Sequence, residues 1–152
     1  MLEATKSGVF GHRYDIRVNG TPVAEWNPRF WRGGGDIVLA GQRYRVDATT
    51  WTNRFTMTDA AGGTVATAEK AGRKHWTVVA DGKPHRFRRA SIWASTQELL
   101  IGDNVVGTIR KTGFWGNRIQ AELPTLSLPA QVFVVGVMVT TWDRQAAAAA
   151  AG

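Results

Sequence analysis

Apolar and polar residues alternate along most of this chain. Tyr14, Ile16 and Val18 are separated by Asp15 and Arg17, Phe55 and Met57 by Thr56, and Trp76 and Val78 by Thr77. Ile119, Ala121 and Leu123 are separated by Gln120 and Glu122. A period of two places successive side chains on opposite faces of a strand, one face buried and one wet. Turn signals punctuate the pattern about every 20 residues: Asn19-Gly20, Ala40-Gly41, residues 59–63, Asp81-Gly82 and Gly102-Asp103-Asn104. Asn-Gly and Asp-Gly supply the positive φ that tight hairpin turns demand. The pattern predicts about twelve short strands, mostly joined as hairpins. A sheet that large curls, and closure removes its unpaired edges.

The pattern changes near the C-terminus. Residues 129–142 carry no charge, and residues 132–139 are apolar throughout, with only Gly136 lacking a side chain. Valine favours strands. Three features favour a helix instead: Pro129 suits a first helical turn, the segment outlasts the preceding strands, and good helix formers continue it through Gln145 and the alanines. A helix apolar on every side is buried in a core or in lipid. A membrane span needs roughly 20 apolar residues, and this stretch is shorter. A barrel of about twelve strands has a lumen that wall side chains fill poorly, and a helix about 10 Å across fits it. Each large apolar side chain buried there contributes roughly 2 kcal/mol before entropy. The expectation is a single mainly-β domain over residues 1–152. It comprises a closed antiparallel barrel at 12–128, a buried apolar helix at 129–146 and an Ala-rich tail at 147–152. The alternative is a single-span membrane-anchored β domain using 129–142.

Composition narrows the class. The chain has 152 residues, 43 % hydrophobic and 20 % charged, within the range of ordered globular domains. It has no cysteine, which excludes disulfides, thiolate zinc sites and a thiol nucleophile. Absence of cysteine fits a reducing, cytoplasmic compartment. Residues 1–8 have no apolar core and do not form a secretory signal. The net charge of +7 points to anionic partners. The richness in Ala, Gly, Arg and Trp suggests a bacterial source.

A meander of about twelve strands followed by an apolar C-terminal helix resembles the tubby C-terminal-like barrel. That superfamily includes tubby proteins, phospholipid scramblases, plant LURP-one-related proteins and small bacterial relatives. The resemblance covers roughly residues 14–145 and is one of architecture and pattern. Arg73-Lys74-His75-Trp76-Thr77-Val78, Ala121-Glu122-Leu123-Pro124 and Gln131-Val132-Phe133-Val134-Val135 also resemble bacterial members. The resemblance implies a helix threading the barrel, a segment that in scramblases has been read as a membrane span. It implies a binding or membrane-associated role rather than catalysis, by analogy of fold. The phosphoinositide-binding residues of tubby proteins are not matched residue by residue.

In an up-and-down meander, turns two strands apart share an end. The Asn-Gly and Asp-Gly turns, with Asp59, Asp81 and Asp103, should gather at one rim. The intervening connections should gather at the other. These contain Arg29-Phe30-Trp31-Arg32, Trp51-Thr52-Asn53-Arg54, Arg73-Lys74, Arg88-Arg89 with Ile92-Trp93, and Lys111 with Phe114-Trp115 and Arg118. One rim is therefore expected to be aromatic and basic, the other acidic and small. Trp with Arg or Lys suits a membrane interface or an anionic ligand, and Trp also suits plugging the barrel's end. Trp31, Trp93 and Trp115 are the candidate interfacial aromatics. Arg73, Lys74, Lys83, Arg86, Arg88 and Arg89, on two arms of one hairpin, are the candidate anion- and lipid-binding residues. A solvated basic hairpin explains the same cluster. If Trp76, Val78 and Phe87 face the core, Arg86 and Arg88 face outward.

Motifs of catalysis are missing. There is no G-x-S-x-G elbow and no H-E-x-x-H helix, and Gly33-Gly34-Gly35 runs into Asp36-Ile37 rather than Lys-Ser. His75 and His85 fall on neighbouring strands, where they could face each other, and Asp81 sits at the turn between them. A metal site needs more ligands than these, so surface histidines are the expectation. No catalytic residue, metal or cofactor is assigned. The reading is a non-enzymatic module, cytoplasmic or peripheral to the membrane, for anionic phospholipid or another anionic partner. The alternative is a structural domain that binds another protein. Nucleic acid ranks lower, for want of a recognisable motif.

Overall fold

The computed structural model describes residues 1–7, 12–29, 33–49, 51–91, 95–113 and 116–152. The chain forms a closed antiparallel barrel of twelve strands around one helix. The strands are β1 (Leu2–Lys6), β2 (Tyr14–Val18), β3 (Thr21–Pro28), β4 (Gly35–Leu39), β5 (Gln42–Ala48) and β6 (Phe55–Thr58). They continue as β7 (Thr64–Glu69), β8 (His75–Ala80), β9 (Lys83–Arg89), β10 (Thr96–Ile101), β11 (Asn104–Thr112) and β12 (Arg118–Glu122). Each strand pairs with its chain neighbours, and β1 closes the ring against β12, with Leu2 opposite Ala121 and Ala4 opposite Ile119. The helix α1 (Leu128–Ala151) follows.

Alternation divides the wall as the sequence pattern requires. Ile16, Ile37, Val46, Phe55, Met57, Trp76, Val78, Phe87, Ile109 and Ile119 point inward and are buried. The intervening positions, such as Arg17, Arg45, Arg86 and Arg110, carry charge on the outside. The meander begins earlier than residue 12. β1 supplies Leu2 and Ala4 to the interior, and two inward residues in a strand of five are too few for alternation to stand out.

The helix also runs further than residue 146, because the alanines up to 151 continue it. Its start is fixed from outside. Ser127 is extended, and its N–H and hydroxyl donate to the two carboxylate oxygens of Asp81 at 3.1 and 2.8 Å. Pro129 occupies the first turn, where its missing N–H costs nothing. Val132, Phe133, Val134, Val135, Val137 and Met138 have no exposed surface. The hydroxyls of Thr140 and Thr141, also buried, donate back to the carbonyls of Gly136 and Val137 at 2.9 and 2.8 Å. Burial inside the barrel therefore overrides the strand preference of the valines. Residues 129–142 serve as core, and no helix among the described residues is long and apolar enough to cross a membrane.

Candidate functional site

The two ends of the barrel differ. The turns β2–β3, β4–β5, β6–β7, β8–β9 and β10–β11 share the end at which α1 begins. They carry Asp59, Asp81 and Asp103. The described parts of the alternate connections share the end at which α1 emerges. There Lys111 Nζ lies 5.2 Å from the centre of the Trp142 ring, and the Arg144 guanidinium lies 5.7 Å from that of Phe55.

The β7–β8 connection is the most basic part of that second rim. Lys70 and Gly72 adopt positive φ, and the turn closes with the Arg73 N–H donating to the Lys70 carbonyl at 3.0 Å. Ala71 turns inward and is buried, and its N–H donates to the Asn53 carbonyl at 3.3 Å. Gly72 lies so close to the Thr141 methyl that a side chain would collide with it. These contacts fix the turn against the helix and send Arg73 and Lys74 into solvent. The Arg89 N–H donates to the Lys74 carbonyl at 3.0 Å, which brings the end of β9 alongside.

The result is an open cleft of about 750 Å³ bordered by Trp51, Lys70, Arg73, Lys74, His75 and Arg89, with no carboxylate along it. A smaller hollow of about 290 Å³ lies beside it, and Arg73 borders both. Arg144 and Ala148 of the helix form the far side of the second hollow. Lys70, Arg73, Lys74 and Arg89 have no ion-pair partner among the described residues. Trp51 is 96 % exposed, so it does not plug the barrel. Trp142 does, at 6 % exposed.

The sequence-derived cluster is only partly one site. Arg73, Lys74 and Arg89 meet at the cleft. Lys83 begins β9 beside Asp81, at the opposite end of the barrel. Arg86 lies on the outer wall, as does Arg88, whose Nε and Nη2 donate to Glu98 Oε1 at 3.1 and 2.9 Å. Trp31, Trp93 and Trp115 lie outside the described residues. Trp51, expected on this rim but not among the candidate site residues, joins the cleft, as does Lys70, which the sequence did not mark. Their signal was placement on the same rim's connections, which sequence clustering along one hairpin obscured.

The histidines do not face each other. His75 pairs with Arg88 on the outer face, whereas His85 pairs with Val78 on the inner one. His85 is 8 % exposed, not a surface residue. Its Nε2 lies 3.2 Å from the Ala80 carbonyl and its Nδ1 3.2 Å from the Thr125 hydroxyl. A carbonyl only accepts, so Nε2 donates to Ala80. No group of three or more His, Asp or Glu among the described residues is placed to hold a metal ion.

Near the helix exit, Asp143 faces Lys6, Lys111 and His12. Burial pushes its carboxyl above the usual range, and Lys6, Lys111 and His12 draw it back. Tyr14 is pushed up to about 12, first by burial and then by the Asp143 charge.

No family model, no curated protein and no solved structure matches the chain.

Proposed function

We propose that this chain is a non-enzymatic binding module that docks on anionic phospholipid through its basic rim, and that it is a small member of the tubby-like barrels. The closed twelve-strand barrel around a C-terminal helix supports the family reading, because that is the architecture the sequence resemblance implies. The carboxylate-free cleft among Lys70, Arg73, Lys74 and Arg89, with Trp51 exposed at its edge, carries the functional reading. Cations beside an anionic bilayer contribute about 1 kcal/mol each, and indole rings favour the headgroup layer. Peripheral binding follows, with the barrel itself in water.

Sedimentation with neutral and anionic vesicles tests the proposal. The protein should pellet with anionic vesicles alone and be released by salt. Neutralising Lys70, Arg73, Lys74 and Arg89 together should weaken binding on the order of a thousandfold, with the melting temperature little changed. Lys83→Gln, at the other end, should bind as the parent does. Equal binding to neutral vesicles, or a fourfold variant that binds normally, would refute the assignment. A protein that ignores every vesicle would favour the protein-interaction alternative.

A further inference from the structure

We infer that the domain stands end-on at an anionic bilayer, its helix axis near the membrane normal, with Trp51 and the last two turns of α1 in the headgroup layer. This rests on the reading above and adds to it an orientation. Three independent features of one end converge on it.

The first is the separation of charge along the barrel axis. Lys70, Arg73, Lys74, Arg89 and Arg144 gather at the exit of the helix. Asp59, Asp81 and Asp103 occupy the turns of the far end. Lys83, Arg17 and Arg43 offset those carboxylates, so an anionic surface attracts the exit end more strongly than the far end, which orients the molecule before contact.

The second is the shape of the basic end. Beyond Trp142, which closes the barrel, residues 146–151 stay helical and exposed. At about 1.5 Å per residue they extend on the order of 9 Å. A headgroup layer is roughly 5–8 Å deep, half the difference between the whole bilayer and its hydrocarbon core. The alanines at 146–151 carry no side-chain charge that would keep them out of that layer.

The third is Trp51. The half-exposed Val79, Ile101 and Val105 flank the turns that carry Asp81 and Asp103, away from the basic cleft. Trp51, at 96 % exposure, lies instead among cations. Arg73 borders both hollows, so Trp51 and Ala148 flank one arginine from opposite sides.

The chain's lack of cysteine makes the test direct. Single cysteines introduced as Ala148→Cys, Thr67→Cys and Asp103→Cys sample the helix end, the mid-wall and the acidic end. Each carries a polarity-sensitive fluorophore. The probe membrane is a phosphatidylcholine–phosphatidylserine vesicle with spin-labelled headgroups. The label at 148 should shift to the blue and be quenched, while those at 67 and 103 stay in water. Trp51→Ala should weaken vesicle binding about tenfold. Quenching at 67 with none at 148 would overturn the end-on orientation and place the wall on the membrane. Co-sedimentation of all three variants with no label quenched would also overturn it, leaving the docking reading intact. Without co-sedimentation, both fall.

Discussion

Gly136 of the helix packs directly against Trp26 of the barrel wall. A Cβ there would lie 2.7 Å from Cζ3 of the Trp26 indole. Trp26 has no exposed surface and no room to retreat. Gly136→Ala should therefore destabilise the protein by about 1–3 kcal/mol in denaturant titrations, although alanine is the better helix former. Trp26→Phe should restore much of that loss, because it opens space and removes a buried indole N–H without a partner. Additive losses in the double variant would show that the two residues do not press on each other. Tyr14 offers a second measurement at this scale. Its hydroxyl is held neutral up to about 12, against 10.0 for a free side chain. The unfolded chain loses that proton first, so the stabilisation is complete below pH 10 and is lost as pH rises towards 12. Alkaline absorbance titration should resolve a late-ionising tyrosine that Tyr14→Phe removes. In Asp143→Asn the same group should ionise at lower pH, since the carboxylate charge contributes to the shift.

Among the elements, α1 depends on an anchor from across the chain. Asp81 is at positive φ in the β8–β9 turn and accepts both the N–H and the hydroxyl of Ser127. Asp81→Asn keeps a residue that tolerates this backbone but loses an acceptor, and should cost about 1 kcal/mol by thermal unfolding. Asp81→Ala loses both acceptors and adds backbone strain, so its loss should be larger. The exposed end of the helix should behave differently. Deleting residues 146–152 removes no buried side chain and should leave the melting temperature nearly unchanged. Deleting 128–152 empties the barrel and should abolish cooperative unfolding, as followed by near-ultraviolet circular dichroism. The sequence announced the helix through its uncharged length and Pro129. It did not announce the partner of Ser127, because a contact across 46 residues leaves no local pattern. β1 stayed hidden for a similar reason. Its evidence is the register with β12, not its own five residues.

For the molecule as a whole, alternation and turn spacing were enough to read a closed barrel, since both follow from local geometry and edge removal. The placement of the described basic connections and of Asp59, Asp81 and Asp103 at opposite ends followed from counting strands. The cleft did not, because Arg73, Lys74 and Arg89 sit on the same hairpin as Lys83, Arg86 and Arg88, and only register and barrel closure sort them. Closure has a further consequence, for synthesis. β1 leaves the ribosome before the other strands, yet its partner β12 follows more than a hundred residues later, with Leu2 opposite Ala121. The segment that fills the lumen is made after every strand that surrounds it. No part of the wall acquires its core until translation has passed α1. Contacts of such long range are slow to form, and the inner faces of the nascent strands stay uncovered meanwhile. The wall can thus close on its core only once α1 has been made, and aggregation competes with closure in that interval.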